Sequence, residues 1–102
     1  MAKATMTWYD VMVGQLYAQT AENDLMDKDY EEALADIARA KACLGMTRSR
    51  IIKTIATQAL DELERAADAA KARNDWATSY NLNDAIHTLS ILLAVLADTH
   101  TL

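Results

Sequence analysis

Proline and phenylalanine are missing from this 102-residue sequence, glycine occurs only at Gly14 and Gly45, and Cys43 is the single cysteine. So little turn-forming stock argues against a many-stranded sheet, and the abundance of alanine and leucine favours helix. The expected fold class is all-α, a single helical domain over residues 1–102. A lone cysteine makes no internal disulfide, and no charged-then-apolar leader opens the chain, so the expected setting is reducing and cytoplasmic. Long apolar runs are also missing. The most apolar stretch, Leu89 to Ala97, is far shorter than the roughly 20 residues that cross a bilayer, which reads as buried helix with no membrane partner.

Several chemistries lack their residues. His87 and His100 have no second histidine, cysteine or carboxylate pair at ligand spacing, so no metal is expected. There is no glycine-rich phosphate loop and no Gly-x-Ser-x-Gly elbow, and the neighbouring Glu31 and Glu32 project differently from a helix. The expectation is a non-enzyme with no catalytic residues and no cofactor.

What is present is helical periodicity. Thr7 and Asp10 have capping-box spacing, and Tyr9, Val13, Leu16, Tyr17, Ala21 and Leu25 recur at threes and fours, predicting a first helix with that stripe inward. Asp29 is a good N-cap for a second helix, with Tyr30, Ala33, Leu34, Ile37, Ala40, Lys41 and Leu44 on its inner stripe, Lys41 at the edge, and Gly45 is expected to stop it in the left-handed conformation. A third helix starts at Thr47 or Ser49 and carries Ile52, Ile55, Ala56, Ala59, Leu60, Leu63, Ala66, Ala67 and Ala70 along one stripe. Arg73 to Asp75 breaks it before a fourth, from about Trp76, that presents Leu82, Ala85, Ile86, Leu89, Leu92, Leu93 and Leu96. The result is a bundle of three to four helices arranged as helical hairpins.

The run Ile91 to Ala97 is apolar all the way round, and a helix with no polar face has to be surrounded. A homo-oligomer with Leu92, Leu93 and Leu96 at its interface follows as an expectation. The aromatic residues, at helical spacing, read as core, except Trp8, which lies beside Tyr9 at a helix start and reads as an interface anchor.

Charge is strongly segregated within a formal net of −5. Residues 22–36 carry Glu22, Asp24, Asp27, Asp29, Glu31, Glu32 and Asp36 against Lys28 alone, a local −6. Residues 37–60 carry Arg39, Lys41, Arg48, Arg50 and Lys53 and no acid, a local +5. Asp24, Asp27, Asp29, Glu31, Glu32 and Asp36 are therefore a candidate acidic partner face. Thr47, Arg48, Ser49, Arg50 and Lys53, at a helix N-terminus, are a candidate site for an anion or for a partner's carboxylates.

Two segments carry resemblances. Residues 22–45, "ENDLMDKDYEEALADIARAKACLG", look like the second half of a tetratricopeptide repeat through Tyr30, Ala33, Leu34 and Ala40, and imply a helical hairpin. A fainter echo 46 residues on pairs Tyr17, Ala21, Asp29 and Tyr30 with Leu63, Ala67, Asp75 and Trp76, a longer period than that family's. Residues 44–60, "LGMTRSRIIKTIATQAL", are similar to the loop and second helix of ribbon-helix-helix DNA-binding regulators, with Gly45, Thr47, Arg48, Ser49, Ile52 and Ile55 in the family's places. That resemblance implies phosphate contacts from Thr47 and Ser49. The family's basic strand upstream is replaced here by the acidic "LMDKDY", which repels a phosphate backbone.

The reading drawn from the sequence is a non-catalytic protein-binding module, an adaptor or an inhibitor that occupies a partner's surface, with acidic charge mimicry of nucleic acid as one route. The alternatives are a DNA-binding regulator using the Gly45 to Lys53 turn, and sequestration of a phosphate-bearing small molecule at the same turn.

Overall fold

The computed structural model describes residues 5–101, with side chains through Asp98. The expectation placed on His100 therefore lies outside the described side chains. Four helices follow one another: α1 (Trp8–Met26), α2 (Tyr30–Ala42), α3 (Arg50–Lys71) and α4 (Asp75–Thr101). Among the described residues there is no strand, only an isolated bridge between Thr5 and Met46, so the all-α expectation holds. No described helix is long and apolar enough to cross a membrane.

The helix starts follow from local hydrogen bonding. Thr7 and Asp10 complete a reciprocal capping box at α1, Asp29 Oδ1 accepts from the Glu32 N–H at α2 (3.2 Å), and Ser49 Oγ accepts from the Ile52 N–H at α3 (3.3 Å). Asn74 Oδ1 accepts from the Ala77 N–H (3.1 Å) at the start of α4, so α3 and α4 are separate helices.

Two helix ends have the same construction. After α1, the Lys28 N–H donates to the Leu25 carbonyl (3.0 Å) and the Asp29 N–H to the Asp24 carbonyl (2.9 Å). After α3, the Arg73 N–H donates to Ala70 (3.0 Å) and the Asn74 N–H to Ala69 (2.9 Å). Both are Schellman closures, and each needs a left-handed residue, which Lys28 (φ 61) and Arg73 (φ 55) supply. Gly45 is not left-handed, contrary to the sequence-based expectation. Instead, the connection 43–49 is held from outside, by the Met6 N–H donating to the Met46 carbonyl at 2.8 Å.

Each helix packs on the next, and α1 also packs on α4, which closes the ring. Gln15 Nε2 donates to the Ile86 carbonyl (3.0 Å) and to Ser90 Oγ (2.7 Å), while Glu22 accepts from Ser79 (3.1 Å) and Asn83 (2.9 Å), so α1 and α4 run in opposite directions. Val11, Ala18, Ala21, Ile37, Ala40, Leu63, Leu82, Leu89 and Leu92 are among the core residues. At Gly14 a Cβ would stand 3.1 Å from Cys43 Cβ and 3.4 Å from the Ala40 carbonyl, a close approach of α1 to α2.

That approach corrects the expected inner stripe of α1. Val11, Gly14, Ala18, Ala21 and Leu25 face inward, and Tyr9 (65% exposed) and Leu16 (54%) face water. Apolar residues lie on both sides of this helix, and the side carrying glycine and alanines wins because it lets the helices approach closely. The aromatic expectation holds for Tyr17, which packs against the core, and fails for Tyr9, Trp76 and Tyr80, which are exposed. None of the six aromatic side chains is fully buried, and Trp76, at 75% exposed, stands further out than Trp8 at 40%.

The buried positions of the two halves correspond at a separation of 45 residues, that of Lys28 and Arg73. Val11, Gly14, Ala18, Ala21 and Leu25 on α1 match Ala56, Ala59, Leu63, Ala66 and Ala70 on α3. Ala33, Ile37 and Ala40 on α2 match Thr78, Leu82 and Ala85 on α4, all buried. The equivalence is one residue shorter than the echo read in the sequence, since Asp29 corresponds to Asn74 rather than Asp75.

Candidate functional site

The basic turn lies between α2 and α3. Thr47 Oγ1 accepts from the Ser49 N–H (3.2 Å) and Ser49 Oγ from the Ile52 N–H, so both hydroxyls serve the chain's own turn and cap. Arg48, Arg50 and Lys53 are exposed and form none of the ion pairs found among the described residues. The other two cations of the segment are engaged. Arg39 Nη1 reaches Asp36 Oδ1 at 2.6 Å and Glu32 Oε1 at 3.0 Å, and Lys41 Nζ reaches Glu64 at 2.6 Å, which holds the Glu64 carboxyl below its ordinary range.

Two shallow cavities meet at Thr47. One, of about 380 Å³, lies between Met6, Arg48, Ile52 and Leu96. The other, of about 270 Å³, is lined by Met46, Lys53, Ala56 and Leu60. Met46 (59% exposed) and Ile51 (67%) stand out among the cations. This end of the molecule therefore offers positive charge and apolar surface together.

The acidic candidates separate into two groups. Asp27, Asp29, Glu31 and Glu32 are exposed around the start of α2, the opposite end of that helix from the basic turn. Asp36 is not on that face: it is 3% exposed. Its position among Ala33, Ile37 and Ala40 places it on the inner side of α2. There it meets the half-buried Asp24 of α1, and the Oδ2 atoms of both carboxyls are buried with no hydrogen-bond partner. Removal from water, followed by the neighbouring Asp36 carboxyl, pushes the Asp24 carboxyl up to about 7. Sequence spacing could place Asp36 inward, but only the packing of α1 on α2 brings Asp24 to it.

At the start of α4, Asp75 accepts from the Tyr30 hydroxyl at 2.6 Å and pairs with Lys28, which holds its carboxyl below the ordinary value. The Arg73 guanidinium lies 4.8 Å over the Tyr30 ring. These contacts tie the turn 72–74 to the turn 27–29. Among the described residues, no group of His, Cys, Asp and Glu side chains has the arrangement of a metal site.

The interface candidates also divide. Leu92 is fully buried within the chain, so it is core and not available surface. Leu93 and Leu96 are half-buried and pack on the core, while Ile91 (44% exposed) and Ala94 face water. The expectation that α4 is surrounded is thus met on its inner side only. Its outer side, with Trp76 and Tyr80 stacked at 5.3 Å, is the feature the sequence reading missed; the signal was there in the helical spacing of 76, 80, 87, 91 and 94.

Comparison with protein-family models, curated proteins and solved structures finds no match to this chain.

Proposed function

We propose that the chain is a non-catalytic protein-binding module, built as helical hairpins, whose main contact surface is the loop end around Thr47, Arg48, Ser49, Arg50 and Lys53. The observation that carries this reading is the mixture there of unpaired cations with exposed Ile51 and Met46. A partner protein offering carboxylates beside apolar side chains gains from both, whereas a duplex phosphate backbone gains only from the charge. The Thr47 and Ser49 hydroxyl oxygens each accept a main-chain N–H within the turn, and their O–H groups remain free to donate to a carboxylate or a phosphate alike. The partner is thus an acidic, partly apolar protein surface, and the module acts as an adaptor or as an inhibitor that covers that surface.

Nuclease-treated capture of partners from source cells, compared across wild type, Ile51→Ser and the Arg48, Arg50, Lys53 triple change to Ala, tests the reading. The expected result is one protein partner lost with either variant. Titration of labelled duplex DNA is the counter-test. Binding tighter than the micromolar range of nonspecific contacts at physiological salt, falling with log salt by about 0.9 per phosphate contact, overturns it in favour of DNA.

A further inference from the structure

The outer face of α4 is apolar beyond what the fold requires. Trp76, Tyr80, Asp84, His87, Ile91 and Ala94 fall within one arc of the helix, with Trp76 75%, Tyr80 55% and Ile91 44% exposed. The helix's other sides are occupied. Ser79, Asn83, Ile86 and Ser90 meet α1, Thr88 donates to Glu62 of α3 at 2.6 Å, and Leu82, Ala85, Leu89 and Leu92 fill the core.

The molecule contains its own control for this face. In the equivalent half, 45 residues earlier, α2 presents Glu31, Ala35, Arg39 and Ala42 where α4 presents Trp76, Tyr80, Asp84 and His87. The same architectural position is charged and small in one half and aromatic in the other, so the aromatic side chains are not a demand of the bundle. Trp76 and Tyr80 are stacked with an interplanar angle of 17°, a platform formed before any partner arrives.

The order of residues along the face identifies the occupant. A two-fold axis between Ala85 and Ile86, relating two antiparallel copies of α4, sets Tyr80 level with Ile91 of the partner subunit. It also sets Asp84 level with the partner subunit's His87, and Trp76 beside the partner subunit's Ala94. Aromatic meets aliphatic, large meets small, and a carboxylate meets an imidazole that donates an N–H. Neither the Asp84 nor the His87 side chain has an ion-pair or hydrogen-bond partner among the described residues of its own chain.

We infer that the outer face of α4 is a self-association surface, on which a second copy of this chain docks through its own α4 in antiparallel orientation. This surface is separate from the loop end, so the dimer leaves Arg48, Arg50 and Lys53 free and presents two copies of that site. A single helix pair from Trp76 to Ala94, about 27 Å long, belongs with small interfaces below about 1,200 Å², so the expected Kd is about 10–100 µM.

Sedimentation equilibrium of the full chain from about 1 to about 500 µM tests this. The mass is expected to rise from the 11.3 kDa monomer toward twice that value. Ile91→Glu and Tyr80→Glu, both at exposed positions, are expected to hold the chain at monomer mass with an unchanged far-ultraviolet circular dichroism spectrum. Leu16→Glu on the outer face of α1 is expected to leave the dimer intact. Asp84→Lys and His87→Glu are each expected to weaken association about tenfold, and the double variant to return it to within about threefold of wild type. A wild-type chain that stays monomeric throughout overturns the inference in favour of a different protein on this face. A dimer that survives both Ile91→Glu and Tyr80→Glu, or that Leu16→Glu dissociates, overturns it in favour of a different interface. Failure of the double variant to recover overturns the antiparallel register.

Discussion

The carboxyl of Asp24 on α1 faces that of Asp36 on α2, the Oδ2 atom of each buried without a partner, and Arg39 holds the Oδ1 atom of Asp36. The pair needs one proton, and Asp24 holds it up to about pH 7. Its folded-state pKa lies above its unfolded value, so its stabilising contribution is complete below about pH 4 and is lost as pH rises through 7. Glu64 and Asp75 act oppositely, since their pKa values are lowered and their contributions fade only as pH falls below the ordinary carboxylate range. Thermal melts should therefore show wild-type stability declining between about pH 4 and 7. Asp24→Asn, whose amide donates to Asp36 without titrating, should flatten that decline. Because Asp24 keeps some access to water, the gain at pH 8 should be modest, about 1 kcal/mol or several degrees in melting temperature. An unchanged pH profile would show that the pair does not share a proton.

Lys28 sits in the left-handed region, where a Cβ costs about 1–2 kcal/mol. Lys28→Gly and Lys28→Ala both remove its exposed pair with Asp75, so that loss cancels between them. Chemical denaturation should find the glycine variant more stable than the alanine variant by about 1 kcal/mol, since only glycine relieves the backbone. Equal stabilities would mean that the Schellman closure after α1 relaxes without a left-handed residue.

Adjacent positions on α4 should behave oppositely. Leu92 is fully buried and Ile91 is 44% exposed. At concentrations where the chain is monomeric, Leu92→Ala should cost about 2–5 kcal/mol and Ile91→Ala no more than about 0.5. Equal costs in urea unfolding would place the core of α4 on a different side.

Burial, with a smaller contribution from Asp10, pushes the Cys43 thiol up. Its Cβ lies where a Cβ on Gly14 would have to go. The thiol should therefore react with a neutral alkylating reagent more slowly in the folded chain than in urea, and full alkylation should lower the melting temperature by separating α1 from α2. A folded-state rate equal to that in urea would contradict this packing.

The sequence announced the four helices because their caps are local. Thr7, Asp29 and Ser49 each satisfy an N–H three residues ahead, and Arg73 to Asp75 marked the break between α3 and α4 within a residue or so. The inward side of α1 was not legible, since Tyr9 and Leu16 on one side compete with Val11 and Ala18 on the other, and the contact at Gly14 decides between them. Gly45 was misread for a related reason. The stop after α2 is made by Met6 reaching across to Met46, a contact outside any local window. At the candidate site, Arg48, Arg50 and Lys53 stand out as read, while Arg39 and Lys41 are drawn off by partners on α2 and α3 that charge counting along the chain does not see.

Asp29 and Asn74 each close one helix with a main-chain N–H and open the next with a side-chain oxygen. At that pole of the bundle neither helix of a pair can fray without releasing the end of its neighbour, and Asp75 links the two turns to each other through Lys28 and Tyr30. The connection 43–49 at the other pole has no such shared residue. Amide hydrogens flanking residues 27–29 and 72–74 should then exchange only in concerted openings of both turns, whereas those of residues 44–50 exchange through smaller, independent openings. The pole carrying Arg48, Arg50 and Lys53 is then expected to open locally while the rest of the bundle stays closed.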